Sequence, residues 1–209
     1  PLTSISGYAE IMRDGLVKPT DVPKFSERIY KEAQRMLTLI NDIIQLSRLD
    51  EGHLEQQEEA VDLFELSHDI VGRLSSKADD CGVHMELTGE SCIVTGVKRL
   101  LDEMIYNITE NAIKYNHAGG RVDLWVGKQM DTPKVIVTDT GIGIAEEEQE
   151  RVFERFYRVD KSRSKETGGT GLGLSIVKHG AELSHAKIKV TSQLGRGTRM
   201  ELIFEESKN

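Results

Sequence analysis

The sequence predicts an α/β protein in two parts, an antiparallel helical hairpin followed by a sandwich of helices on a mixed sheet. Three observations carry this. Apolar residues recur at three- and four-residue steps over residues 2–50. From Val61 onward, alternating runs are interleaved with helical ones. The run Lys134-Val135-Ile136-Val137-Thr138 stops on Asp139-Thr140-Gly141-Ile142-Gly143-Ile144, so a buried strand delivers one carboxylate to a glycine-rich turn.

Residues 2–17 read as a helix with Leu2, Ile5, Ala9, Met12 and Leu16 on one face. Lys18-Pro19-Thr20-Asp21-Val22-Pro23 reads as a turn. A longer helix follows from about Lys24 to Asp50, with a seam of Phe25, Ile29, Ala33, Met36, Ile40, Ile43 and Ile44. A lone hairpin cannot bury both seams, so a homodimer forming a four-helix bundle is expected; the alternative is that the hairpin packs on its own domain. Glu51 to Glu59 is polar and acidic and reads as a linker. The boundaries that follow are 1–52 for the hairpin and 60–207 for the sandwich domain.

Within the second part, Asp62 can cap a helix over 63–78. Strands are expected at Val83–Leu87, Arg121–Gly127, Lys134–Asp139, Ala186–Ser192 and Thr198–Phe204, and helices at 97–116 and 172–184. The last two strands are joined by the turn Gln193-Leu194-Gly195-Arg196-Gly197. Residues 158–168 are polar and basic.

At 209 residues the chain exceeds the roughly 100–150 of one typical domain. No apolar stretch approaches the ~20 residues of a membrane helix. The start at Pro1-Leu2-Thr3, without Met or a basic leader, reads as a piece rather than a natural beginning. A net charge of −8 argues against a generic nucleic-acid binder, although a nucleotide pocket needs only local positive potential. Cys81 and Cys92 have no metal spacing and read as reduced thiols of a cytoplasmic compartment; the six histidines are also scattered.

The chemistry concentrates in four blocks. In the 97–116 helix, Leu101, Met104, Ile105, Ile108 and Ala112 form the core stripe. Asn107, Asn111 and Lys114 share one flank, with Tyr115 at its edge. The Asn111 amide oxygen is a hard neutral ligand suited to Mg²⁺, and Lys114 can neutralise phosphate. Glu110 points elsewhere. Taken alone, the flank also fits a solvated helix edge. Asp139 accepts hydrogen bonds only. It suits the exocyclic amine of adenine and repels the oxygen of guanine, which selects ATP over GTP. The block Gly168-Gly169-Thr170-Gly171-Leu172-Gly173-Leu174 lacks the Lys-Ser/Thr ending of a P-loop and follows no strand. It reads as a flap running into a helix start, whose N–H groups at Gly171, Leu172 and Gly173 can meet anions. Before it, Val152-Phe153-Glu154-Arg155-Phe156-Tyr157-Arg158 offers aromatics to anchor the flap and arginines to reach a terminal phosphate.

In this order and spacing the blocks resemble those of sensor histidine kinases. Asn107 to Tyr115 resembles the N box, Asp139 to Ile144 the first glycine box, Phe153 to Arg158 the F box, and Gly169 to Leu174 the second glycine box. Gly195-Arg196-Gly197-Thr198 resembles the third glycine motif, and Pro1-Leu2-Thr3-Ser4-Ile5 the tail of the phospho-acceptor box. The resemblance implies a Bergerat ATP-binding sandwich behind a dimerising hairpin, with ATP and Mg²⁺ as ligands. It makes Asn111 the Mg²⁺ ligand, Asp139 the adenine-binding aspartate and Arg158 the phosphate-contacting, catalytic arginine. It extends the binding set to Asn107, Lys114, Tyr115, Gly141, Gly143, Ile144, Tyr157, Gly169, Thr170, Gly171, Leu172, Gly173, Leu174 and Thr198. The family's acceptor histidine lies upstream of the proline matching Pro1, so this stretch is not expected to phosphorylate itself at the usual site. A response-regulator receiver domain is the implied second partner, and a membrane-anchored parent the implied setting. ATPases and serine-directed kinases of the same fold, or a non-enzymatic ATP-binding dimerisation scaffold, are the competing readings. The hydrolases place a glutamate where Asn107 stands, and an asparagine cannot be that base.

Overall fold

The computed structural model describes residues 1–50, 57–159 and 169–205. They divide into two compact units: residues 1–50 with Gly169 and Thr170, and residues 57–159 with 171–205.

The first unit is a hairpin of α1 (Leu2–Arg13) and α2 (Val22–Asp50). α1 is shorter than its apolar pattern suggests. Gly15 adopts φ +71°, and the Leu16 N–H returns to the Ile11 carbonyl at 3.1 Å, which closes a left-handed helix stop. Leu16 therefore lies beyond the helix. α2 starts two residues earlier than expected, because Pro23 falls in its first turn, where a proline sacrifices no helical hydrogen bond. The helices meet where Tyr8 stacks edge-on against Phe25, ring centroids 5.6 Å apart, with Arg28 over both rings. α1 has 12 residues and α2 has 29, so their lengths are about 18 and 44 Å. Phe25, Ile29, Ala33 and Met36 are half-buried, whereas Ile40, Ile43 and Ile44 are exposed at 43–46%.

The second unit begins with β1 (Glu59–Asp62), which pairs antiparallel with β3 (Ile93–Gly96). Neither strand was expected. β1 starts at Glu59, the last residue of the segment read as linker; residues 51–56 of that segment lie outside the described residues. Each strand has only four residues, too few for a visible alternation, and each depends on a partner far along the chain, Val61 opposite Val94. Asp62 caps α3 (Leu63–Cys81) as expected, its Oδ1 accepting from the Phe64 N–H at 2.9 Å. β2 (His84–Gly89), α4 (Lys98–Lys114), β4 (Arg121–Gln129), β5 (Thr132–Asp139), α5 (Gly173–Leu183), β6 (Ala186–Gln193) and β7 (Gly197–Phe204) complete the unit. The five-stranded sheet runs β2-β4-β5-β7-β6, with β2 and β4 parallel and the other pairs antiparallel.

The three helices cover one face. Val122, Leu124, Val126, Val135, Val137, Met200 and Leu202 meet Leu101, Met104, Ile105 and Ile108 of α4 and Ile176 and Val177 of α5; all are buried. Burial of this apolar face, at about 25 cal/mol per Å², is the main force holding the unit together. Gly180 lets α5 close on α4, since a Cβ there would sit 2.7 Å from Met104 Sδ. The sheet thus brings the ends of β5, β6 and β7 together beside the end of α4. Cys81 is exposed and Cys92 buried, and neither is in a disulfide. No helix among the described residues is long and apolar enough to cross a membrane.

Candidate nucleotide-binding site

Asp139 ends β5 on the helix-covered face, in the row of Val122. Its Oδ1 accepts two backbone donors, Gly141 N–H at 2.8 Å and Thr198 N–H at 3.2 Å. Among the described residues, Oδ2 accepts none. The carboxyl is thus anchored by one oxygen and presents the other. Burial pushes its pKa up, and the two N–H bonds oppose that shift only in part.

The glycines around it are required by backbone packing. A Cβ on Gly141 would lie 2.3 Å from the Tyr115 carbonyl oxygen, and one on Gly143 (φ +66°) 2.0 Å from that of Gln193. The Ile142 N–H donates to the Tyr115 carbonyl at 3.0 Å, and the Ile142 carbonyl accepts from Gly195 N–H at 2.7 Å. The turn 140–144 is therefore held between the end of α4 and the β6–β7 turn. Gly197, at φ +98°, lies against Asp139: a Cβ there would meet the Asp139 carbonyl oxygen at 2.0 Å.

On α4, the expected stripe is buried and the polar flank is half-buried. The two asparagines differ. Asn107 Nδ2 donates to the Glu103 carbonyl at 2.8 Å, and its Oδ1 faces Gly173, where a Cβ would sit 2.9 Å away. The Asn111 amide has no hydrogen-bond partner among the described residues, which leaves its oxygen available to a ligand or ion. Lys114 Nζ lies 5.3 Å from the centroid of the partly exposed Tyr115 ring. Glu110 is turned away, paired with Lys77 of α3 at 2.7 Å. Among the described residues no group of three or more His, Cys, Asp or Glu is placed to hold a metal. A cation here would be carried by ligand oxygens together with the Asn111 amide, the donor set that suits Mg²⁺.

The segment after the turn contains two short 3₁₀ turns, Glu146–Glu148 and Arg151–Phe153. Tyr157 gives its hydroxyl to Glu148, and Arg151 stacks on its ring at 4.3 Å. Phe156 adopts φ +64°, and its N–H donates to the Gly171 carbonyl at 2.9 Å, joining this segment to the second glycine block. Arg158 is half-buried. The Leu172 side chain is fully buried, so only its backbone can serve a ligand. α5 has no side-chain cap hydrogen bond at its N-terminus, and a helix N-terminus is a place where anions can bind. Gly169 and Thr170 fall in the first unit, whereas Gly171, Leu172, Gly173 and Leu174 belong to the second. Of the polar, basic stretch 158–168, residues 160–168 lie outside the described residues. Sequence reasoning missed Ser192 and Gln149, which bond the 140–144 turn (below). Neither stands in a block with a recognisable signal.

Two family models match the chain. The His Kinase A (phospho-acceptor) domain covers residues 1–52, and the histidine kinase-, DNA gyrase B- and HSP90-like ATPase covers residues 96–208. The chain belongs to the sensor histidine kinases. This kinase region is 38% identical over 207 residues to the sensor-like histidine kinase SenX3 of Mycolicibacterium smegmatis, covering 99% of the chain and 54% of that protein. It thus spans about half the length of the curated relatives it matches. Its fold matches the histidine kinase AdeS of Acinetobacter baumannii with a TM-score of 0.81 at 21% identity, over 100% of this chain and 96% of that one. It also matches histidine kinase ThkA, solved in complex with the response regulator protein TrrA, with a TM-score of 0.78 at 20% identity, over 99% of this chain and 58% of that one. The helical region followed by an α/β ATPase domain is the family's architecture.

Proposed function

We propose that residues 60–207 bind Mg²⁺·ATP and transfer its γ-phosphoryl group to a histidine upstream of Pro1, on the helix that the dimerising hairpin of residues 1–52 continues. The observation that carries this reading is Asp139: one oxygen is fixed by two backbone N–H groups and the other is free to accept a hydrogen bond from an exocyclic amine. Gly141, Gly143, Ile144, Tyr115 and Thr198 surround the base. Asn107, Lys114, Tyr157, Arg158 and the backbone of Gly169, Thr170, Gly171, Leu172, Gly173 and Leu174 serve the phosphates. Asn111 holds the Mg²⁺, whose chemistry is to neutralise charge building on the phosphate oxygens. Lys114 and Arg158 add fixed positive charge. In the transfer, the bond from γ-phosphorus to the ADP oxygen breaks and one to the histidine nitrogen forms.

The exposed Ile40, Ile43 and Ile44 support pairing of two hairpins. From the dimer the phosphoryl group passes to an aspartate of a response-regulator receiver domain, as the ThkA–TrrA complex suggests. The whole protein is anchored in a membrane with this region in the cytoplasm.

Mixing this chain with a protomer that carries the upstream histidine, in the presence of γ-labelled ATP, tests the reading. Acid-labile, base-stable label is expected on the histidine-bearing protomer only, and Asp139→Asn in this chain is expected to weaken it at limiting ATP. Binding of ATP without any transfer would reduce the chain to a scaffold.

A further inference from the structure

Ile144, the last residue of the glycine-rich turn, has both backbone polar groups bonded by side chains from elsewhere. Its N–H donates to Ser192 Oγ at 2.8 Å, and its carbonyl accepts from Gln149 Nε2 at 3.3 Å. The same nitrogen donates to the Ser192 carbonyl at 3.0 Å. A side-chain nitrogen shared by two carbonyls must be the NH₂ end of the amide, so both of its protons are used. Ser192 Oγ also lies 3.0 Å from the Gly197 carbonyl and 2.9 Å from Thr198 Oγ1.

The Ser192 hydroxyl has one proton and three partners. The Gly197 carbonyl can only accept and the Ile144 N–H can only donate. All three bonds form if Ser192 donates to Gly197 and the Thr198 hydroxyl donates to Ser192. Thr198 Oγ1 then presents lone pairs only. The Thr198 N–H is one of the two donors that fix Asp139 Oδ1. Ser192 therefore joins the two segments that seat the carboxylate, the 140–144 turn and Gly197–Thr198, and it leaves acceptors only beside Asp139.

We propose that Ser192, held by Gln149, is a positioning residue that sets the site's preference for a base bearing an exocyclic amine. The proposal rests on the ATP reading. It requires no contact between Ser192 and the ligand: the hydroxyl acts through the placement of Asp139 and the proton orientation of Thr198.

Calorimetry with Mg²⁺·ATP and with the triphosphate of purine riboside, which lacks the amine, tests it on wild type, Ser192→Ala, Ser192→Thr and Gln149→Ala. Wild type is expected to prefer ATP. Ser192→Ala should lower ATP affinity roughly 3- to 10-fold, the loss of about one hydrogen bond, with little change for the analogue. The preference shrinks accordingly. Ser192→Thr, which keeps the hydroxyl, should retain the preference, and Gln149→Ala should weaken it in the same direction as Ser192→Ala. Equal losses on both ligands would reduce Ser192 to a merely structural role and overturn the proposal, as would an unchanged preference. If Ser192→Ala fails to fold, Gln149→Ala makes the same comparison from the other side of the clamp. Wild type that binds neither nucleotide would instead remove the ATP reading itself.

Discussion

Asp139 ionises at a cost to the folded protein. Burial raises its pKa, and the Gly141 and Thr198 N–H groups offset this only in part. For an acid whose folded pKa is raised, the unfolded chain gives up its proton first. Stability is then fully present below the unfolded pKa and is lost as pH rises through the folded one. Asp139→Asn keeps an oxygen for both N–H donors and removes the buried charge. The ligand-free variant should melt higher than wild type at neutral pH and lose less stability between acid and neutral pH. Its affinity for ATP should nevertheless fall roughly tenfold or more, since a hydrogen bond to a charged group contributes about 1.5–3 kcal/mol. Thermal melts across pH, with and without Mg²⁺·ATP, read both effects; a variant that melts lower without ligand would contradict the account. The place of Asp139 at the end of an apolar strand was legible, because a carboxylate closing an apolar run is a local signal. The division of labour between its two oxygens was not, because one of the two fixing donors comes from β7, far along the chain.

α3 depends on its cap. Asp62 Oδ1 receives the Phe64 N–H at 2.9 Å and the Cys92 N–H at 3.2 Å, and Ser91 bonds Oδ2. Its pKa is lowered, chiefly by the Ser91 hydrogen bond, against the opposing effect of burial. Here the sign is reversed: the stabilisation is present above the unfolded pKa and is lost as pH falls through the folded one. Asp62→Ala should cost about 0.5–2 kcal/mol in urea titrations at neutral pH, and the gap from wild type should close in acid. A gap that persists at low pH would assign the loss to something other than the carboxylate. The cap itself was readable from Asp62 preceding an apolar-periodic stretch. Its second function, tying α3 to the start of β3, needed the β1–β3 pairing, which joins short segments with no period of their own.

At the scale of the molecule, the hairpin and the sandwich separate two tasks. Ile40, Ile43 and Ile44 form an apolar stripe on the part of α2 that extends beyond the length of α1. Ile40→Glu combined with Ile44→Glu should convert a dimer to a monomer in sedimentation, because charges cannot be buried there without partners. ATP binding by the second unit should be unchanged. A variant that stays dimeric would move the interface elsewhere. In a chain of net charge −8, any positive charge that serves phosphates has to be local, and that role is the one proposed for Lys114 and Arg158.

The sequence by itself determined whatever is written in short-range periods and turns: the helical seams, the strands of the main sheet, the core stripe of α4 and the carboxylate at Asp139. Each of these depends on neighbours a few residues away, so each leaves a local pattern. Tertiary structure alone decided where distant segments meet. It supplied partners for the four-residue strands β1 and β3, left the Asn111 amide available while engaging Asn107, and brought Ser192 and Gln149 onto Ile144. Those bonds satisfy backbone groups exposed by a turn, and any residue with a suitable donor or acceptor could have been folded against them.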